Sequence, residues 1–379
     1  MPARERTKSD FESGYRIKKD TGTVTINTRK YFHAYCEDVT KSGDNQPFRV
    51  ETWMKHGGKF DGESESASGH RWVDCPVQYF DIDPYVIDHI SITDDPSLAE
   101  CATMTLRRTN PSRSSVEGIV ALAELREIPG LIKESYAIAL NKLFKHIPKR
   151  LFRNLSRAAK LNLLIQFGIL PLLGDLNTCL GFQALVDQRV REIERLRTRG
   201  LRRTVELWRG SKRSTVNNEL VNSSLITARA DIHKVTTLII RGHVRWRVTD
   251  NFYESEADTR ARARDIVLGN IVDPSTIYEL LPWSWLVDYF TNLGSFISAH
   301  RNQLDTTHTT PRIMREARTV CSTSDESTSN SGVKMSPFRG EVVWKTRRVV
   351  TAAITARTDF LNPSQWSILA SLSVLKSRR

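Results

Sequence analysis

The strongest chemical pattern in this chain is cationic. Arg150, Arg153, Arg157 and Lys160 recur at i, i+3, i+7 and i+10, one stripe of a helix, while Leu151, Leu155, Ala158 and Leu161 project to another. Arg191, Arg195, Arg199 and Arg202 form a second stripe opposite Val186, Val190, Ile193 and Leu196, interrupted by Glu192 and Glu194. A guanidinium fork pairs two phosphate oxygens at once, whereas a merely hydrated face carries Lys and Glu in alternation. Both ridges therefore read as phosphate-backbone contacts with little base selectivity and a steep salt dependence. The rival reading is a solvated face with local ion pairs. His243-Val244-Arg245-Trp246-Arg247-Val248 alternates between an apolar and a cationic face. Arg245 and Arg247 thus join the candidate phosphate contacts, and Trp246 is expected in the core rather than stacked on a base.

Bond-making chemistry is poorly supplied. The sequence has no G-x-x-x-x-G-K-[ST], G-x-S-x-G, H-E-x-x-H or Gly-rich dinucleotide turn. Asp81-Ile82-Asp83 offers two carboxylates on one strand face, but without a third ligand it reads as an exposed strand end before Pro84. His33, His56, His70 and His89 have no metal-ligand spacing. Cys36, Cys75, Cys101, Cys179 and Cys321 are far apart and read as reduced, mostly buried thiols. No catalytic residue, metal or cofactor is expected, and the chain does not read as an enzyme.

The elements that carry these residues follow from the hydrophobic period. The chain has 379 residues and a formal charge of +13. Residues 1–140 hold 18 basic and 22 acidic side chains, 141–213 hold 17 and 5, and 214–379 hold 21 and 16. The excess sits in one fifth of the chain, which favours a binding face over a solubilising surface. From 20 to 110, Thr, Val, Tyr and Phe with turns at Gly57-Gly58, Asp61-Gly62 and Asp94-Asp95-Pro96 predict β-structure, including alternating strands at Thr23–Asn27 and Cys101–Leu106.

Ser114-Ser115-Val116-Glu117 is a capping box that opens a run of helices reaching Leu170, broken at Pro129-Gly130 and Pro148 and ended by the kink at Pro171. A further helix runs from about Thr178 to Arg199 and is capped by Gly200. Leu220–Ile232 and Lys234–Thr249 are expected to pair as a long hairpin, followed by helices at Ala257–Leu268 and Ser275–His300. A last β pair flanks the Ser/Thr-rich turn Ser322–Ser331, and Asn362-Pro363 starts a C-terminal helix.

The expected fold class is α+β, an elongated two-region protein. A β region comprises 1–112, 203–255 and 306–360, and a helical bundle comprises 113–202, 256–305 and 361–379. The charged N-terminus has no signal-peptide pattern and no stretch is apolar enough to span a membrane, so a cytosolic product is expected.

Tyr278-Glu279-Leu280-Leu281-Pro282-Trp283-Ser284-Trp285-Leu286-Val287-Asp288-Tyr289-Phe290-Thr291-Asn292-Leu293-Gly294 resembles the hallmark segment of the maturation proteins, also called A or attachment proteins, of single-stranded RNA bacteriophages (levivirus-like). Gly168-Ile169-Leu170-Pro171-Leu172-Leu173-Gly174-Asp175-Leu176 is similar to that family's second common block. The resemblance covers about residues 115–300 and is weak in the β segments. It implies a non-enzymatic virion component, one copy per particle, that replaces a coat-protein dimer in the shell. It further implies that inner helices hold the genomic RNA near its 3′ end and that the outward β part binds a host pilus to start entry.

On that reading Arg150, Arg153, Arg157, Lys160, Arg191, Arg195, Arg199, Arg202, Arg245 and Arg247 are RNA contacts, and the protein is made in the bacterial cytoplasm and packaged into the virion. The alternatives are a cellular-type RNA-binding protein, a membrane-surface protein and a lysis effector that inhibits cell-wall synthesis. Within the hallmark segment Trp283, Trp285, Leu286, Tyr289 and Phe290 are expected in the core. Asp288 is expected to be a satisfied carboxylate or the partner of an Arg at a helix end.

Overall fold

The computed structural model describes residues 3–39, 47–64, 69–82, 87–113, 182–223, 225–249, 256–268, 274–281, 284–323, 327–328, 332–355, 367–368 and 370. The helices expected over 114–170, the ridge of Arg150, Arg153, Arg157 and Lys160, the second common block, Cys179, Asp83 and most of the C-terminal helix lie outside the described residues.

The described residues form a large antiparallel β-sheet with a few helices. Its strands are β1 (Ala3–Lys18), β2 (Val24–Val39), β3 (Phe48–His56), β4 (Lys59–Glu63), β5 (His70–Pro76) and β6 (Leu201–Ser223), followed by β7 (Thr227–Val248), β8 (Thr306–His308), β9 (Arg312–Thr323), β10 (Ser327–Thr328), β11 (Val333–Met335) and β12 (Arg339–Val349). The sheet order is β10-β7-β9-β12-β3-β2-β1-β5-β4-β11, with β6 and β8 also paired to β7. The helices are α1 (Leu98–Thr109), α2 (Phe182–Arg199), α3 (Glu256–Leu268), α4 (Pro274–Leu280), α5 (Ser284–Phe290) and α6 (Leu293–Ala299). No helix among the described residues is long and apolar enough to cross a membrane.

The chain divides into two compact units, one of residues 1–101, 204–243 and 310–350, the other of 102–203, 244–309 and 351–379. The first has its own core, in which Trp53, Phe60, Trp72, Val77, Phe80, Ile87, Phe338 and Val342 are buried together. The Phe80 and Phe338 rings stack at 4.1 Å. One sheet face is covered by the segment after β5: His89 Nδ1 lies 2.7 Å from Thr319 Oγ1, the Ile90 N–H donates to Thr236 Oγ1, and Arg315 pairs with Asp95. Arg29, fully buried, donates to Glu12 Oε1 at 2.6 Å and to the Gly57 carbonyl at 2.6 Å, while Lys59 reaches the other Glu12 oxygen at 2.5 Å. The Gly57-Gly58 corner that offers this carbonyl has positive φ at both residues, the conformation glycine allows without strain. The second unit is built on Leu106, Val186, Ile193, Leu196, Val244, Trp246, Ile266 and Leu304.

Three expectations require correction. Cys101–Leu106 is helical, not a strand. Ser97 caps α1, its hydroxyl accepting the Glu100 N–H at 3.2 Å, and Cys101, Ala102, Thr105, Leu106 and Thr109 form a buried stripe of helical period. The hairpin of residues 201–248 turns near Leu225-Ile226, before β7, rather than at His233, where Asn222 Nδ2 donates to the Ile226 carbonyl at 2.6 Å.

Ser275–His300 is three short helices, not one. Asn292, almost fully buried between α5 and α6, exchanges hydrogen bonds with the backbone of Ala353 and Thr355, and these bonds replace a continuous helical ladder. The N-terminal stretch, part of the expected β region, is a 16-residue strand paired along its length with β2.

Candidate nucleic-acid interface

The basic residues are positioned by the way α2 ends. Its apolar stripe, Val186, Val190, Ile193 and Leu196, faces α3 residues Ala263, Ile266 and Val267. Burying such a side chain contributes about 1.5–3 kcal/mol, enough to fix the rotation of the helix and with it the direction of the arginines. Gly200 stops the helix with φ +73, its N–H donating to the Leu196 carbonyl at 3.2 Å. A Cβ there would stand 2.8 Å from the Trp246 carbonyl oxygen, so glycine is required by both conformation and space. The expected C-terminal cap is therefore present at the expected residue.

The arginines of this segment divide into two sets. Arg189 is 9% exposed and donates to Glu192 at 2.9 Å and to the Pro111 and Arg113 carbonyls at 3.0 and 2.8 Å. Arg203 pairs with the other Glu192 oxygen at 2.6 Å and donates to the Thr109 carbonyl at 2.9 Å. Glu192, which in sequence only interrupts a basic ridge, thus bridges two inner arginines that hold the chain at 109–113. Burial holds the Arg189 guanidinium below its ordinary pKa, and Glu192 opposes that shift. Arg197 donates to Thr259 Oγ1 at 3.2 Å, and Arg260 pairs with Asp187 at 3.0 Å. These side chains are structural.

Arg191, Arg195, Arg199, Arg202 and Arg247 form the other set: all are exposed, and among the described residues none makes an ion pair with a carboxylate. Arg202 is not on the helix as the periodicity predicts; it lies past Gly200 on β6. The turn at Gly200 brings it back beside Arg195 and Arg199. With Arg245 from β7 these residues, Gly200 and Leu201 line a cavity of about 460 Å³, with no carboxylate among the described residues of its wall. Arg191 and Arg247 lie outside that lining. Arg245 is half-buried and donates to the Arg199 carbonyl at 3.0 Å, so it also satisfies an end carbonyl of α2. Trp246 points inward as expected, 2% exposed, with Nε1 donating to Thr109 Oγ1 at 3.3 Å.

Cations at a helix C-terminus complement the macrodipole, each by about 0.3–1 kcal/mol. That effect accounts for Arg195 and Arg199 individually. It does not account for four guanidinia around one concavity, where mutual repulsion favours an anion. The described wall offers an oxyanion planar donors from several sides. Sequence periodicity identified Arg195, Arg199, Arg202 and Arg245 but missed that Gly200 and Leu201 complete the wall. The turn that gathers them was legible only as a cap.

The hallmark segment is a structural knot. Asp288 Oδ1 accepts the Gly294 N–H at 2.8 Å and lies 3.1 Å from the Tyr278 hydroxyl, tying α4, α5 and α6 together. Burial and the Asp288 charge push the Tyr278 hydroxyl up to about 12. Asp288 is thus a satisfied carboxylate and, among the described residues, has no arginine partner. Phe290 is 52% exposed, contrary to the expectation of a buried ring, because α5 ends there and presents it outward. Trp283 and the side chains of Trp285, Leu286 and Tyr289 lie outside the described residues.

Among the described residues no group of three His, Cys, Asp or Glu could hold a metal ion. Cys75, Cys101 and Cys321 are buried thiols, and burial pushes Cys101 and Cys321 up to about 11. No protein-family model matches the chain, and no curated protein matches it either.

Proposed function

We propose that this chain is a non-enzymatic virion protein that holds a single-stranded RNA genome through its arginine-rich helical part and attaches the particle to a bacterial pilus. The observation that carries the RNA half is the cavity of Arg195, Arg199, Arg202 and Arg245, four guanidinia with no carboxylate among the described residues of the wall. The concentration of basic residues in 141–213 supports it. The attachment half rests on the resemblance of Tyr278–Gly294 and Gly168–Leu176 to the maturation proteins of RNA bacteriophages. On the same reading the helices form an inward bundle, the β region faces outward in an elongated molecule, and coat-protein dimers flank one copy per shell.

The mechanism needs no bond chemistry. Arginines neutralise backbone phosphates and release counterions, so retention of RNA falls steeply with salt. Pilin is bound by complementarity of shape and charge, and retraction draws protein and RNA together toward the cell.

The test measures binding of the purified chain to single-stranded RNA across a salt series, and its adsorption to piliated and pilus-deficient cells of one strain. RNA binding with a steep slope, together with pilus-dependent adsorption, is expected. RNA binding without pilus dependence would replace the viral reading with a cellular RNA-binding protein. Flotation with anionic liposomes that RNA does not compete would replace it with a membrane-surface protein. Lysis on expression of the chain alone would add an effect on cell-wall synthesis.

A further inference from the structure

The cavity beside Gly200 concentrates more charge than one backbone contact uses. Arg195 and Arg199 on α2, Arg202 on β6 and Arg245 on β7 line a single concavity of about 460 Å³, with no carboxylate among the described residues of its wall. A guanidinium keeps its proton throughout the pH range of a folded protein, so the described wall holds four positive charges together. Arg195, Arg199 and Arg202 make no ion pair among the described residues.

A phosphodiester brings one negative charge, which leaves most of that repulsion in place. The next phosphate of the same strand lies a whole ribose away, so an extended backbone passing the cavity presents its charges singly. A 5′-terminal triphosphate, which a strand polymerised from nucleoside triphosphates keeps on its first nucleotide, joins three phosphates directly through oxygen. It carries about four negative charges near neutral pH, the last group alone about 1.5–2. Its charge and its compactness both match planar forks that converge from three elements. Arg245 is the anchored member, held against the end of α2 by its bond to the Arg199 carbonyl at 3.0 Å. The exposed Arg195, Arg199 and Arg202 side chains close on an anion without breaking an ion pair among the described residues.

The arginines just outside the wall suit the nucleotides that follow. Arg191 stands one turn before Arg195 on α2, and Arg247 lies two residues past Arg245 on the same face of β7. Both are exposed and neither lines the cavity, a placement for single backbone phosphates.

We infer that the cavity seats the 5′-terminal triphosphate of an RNA strand, with Arg191 and Arg247 on the phosphates next to it. The identity of the ligand as RNA rests on the function proposed above; the preference for a compact polyanion over a single phosphodiester does not. This contact is additional to the 3′ region that the resemblance implies.

The test measures binding of the full chain to one short single-stranded RNA made with a 5′-triphosphate, a 5′-monophosphate or a 5′-hydroxyl, across a salt series. The triphosphate form should bind about tenfold tighter than the hydroxyl form, with the monophosphate form between them. Its salt slope should be steeper by about 2, near 0.7 for each added phosphate. R195Q/R199Q/R202Q should bring the three forms to one affinity, whereas R191Q/R247Q should weaken all three alike and keep their ratio. These five arginines are exposed, so both variants should melt with the wild type. Free ATP should compete only at higher concentration, because it reaches the cavity but not the flanking contacts.

Equal affinity for the three RNA ends overturns this inference and leaves the RNA reading standing. A preference that survives R195Q/R199Q/R202Q overturns the cavity as the seat of the triphosphate. ATP binding as tightly as the triphosphate RNA overturns the assignment to an RNA end in favour of a free nucleotide. If no RNA binds at low salt, the RNA reading falls and this inference with it.

Discussion

Glu192 and Gly294 show how much one side chain or its absence fixes. Glu192 satisfies Arg189 and Arg203 together, so Glu192→Gln leaves two largely buried guanidinia short of a counter-charge. It should cost about 3 kcal/mol in urea unfolding, and a loss below measurement error would show that the bridge is dispensable. A Cβ on Gly294 would stand 2.4 Å from Asp288 Oδ2 and 2.9 Å from the Tyr278 ring. Gly294→Ala should therefore destabilise by about 1–3 kcal/mol, read as a lower melting midpoint. Both effects come from partners distant in sequence. The Arg189 to Glu192 spacing was visible in the chain, but Arg203 as second partner was not, because only the turn at Gly200 folds it back.

Elements carry the RNA claim. R195Q/R199Q/R202Q removes three guanidinia that make no ion pair among the described residues, so stability should change little. RNA affinity should fall, and the slope of log K against log salt should flatten by up to about 2, near 0.7 per phosphate contact. An unchanged slope takes the cavity out of the interface. At α1, Ser97→Ala should cost about 1 kcal/mol by removing the N-cap, checked by thermal melting.

That helix is also the clearest misreading. Cys101–Leu106 alternates over six residues, yet Ser97-Leu98-Ala99-Glu100 is itself a capping pattern, and the stripe from Cys101 to Thr109 has the helical period. A short window favoured the strand, and a longer one with its cap favours what the chain forms. The basic face of α2 was legible because Val186, Val190, Ile193 and Leu196 fix its rotation.

Over the whole molecule, pH tests the half-buried histidines. His70, His89 and His243 all lie below the usual imidazole value, burial being the first cause in each. The unfolded chain then takes up protons first as pH falls below about 6.5, so folding stability declines through that window. Glu12 and Glu316 act in the same direction at lower pH. Burial opposes their ionisation, but Lys59 and Arg29 outweigh it for one, and Arg241 and Lys345 for the other. Their contribution is present above pH 4.5 and is lost as pH falls through their lowered values. Denaturant midpoints should be lower at about pH 5.5 than at about pH 7.5; equal midpoints would contradict the partial burial of these rings.

The sequence by itself determined where the positive charge is concentrated, which face of α2 is apolar, where that helix ends and that Trp246 turns inward. These are local properties, set by period, composition and the conformational freedom of one glycine. Only the tertiary structure decided which arginines are bound to carboxylates and which are left to line a cavity. It also decided which strands lie side by side, so that His243, Arg312 and Arg347 meet although up to 104 residues separate them in the chain. Pairing between distant segments depends on the summed burial of whole faces, and no short stretch of sequence contains that sum.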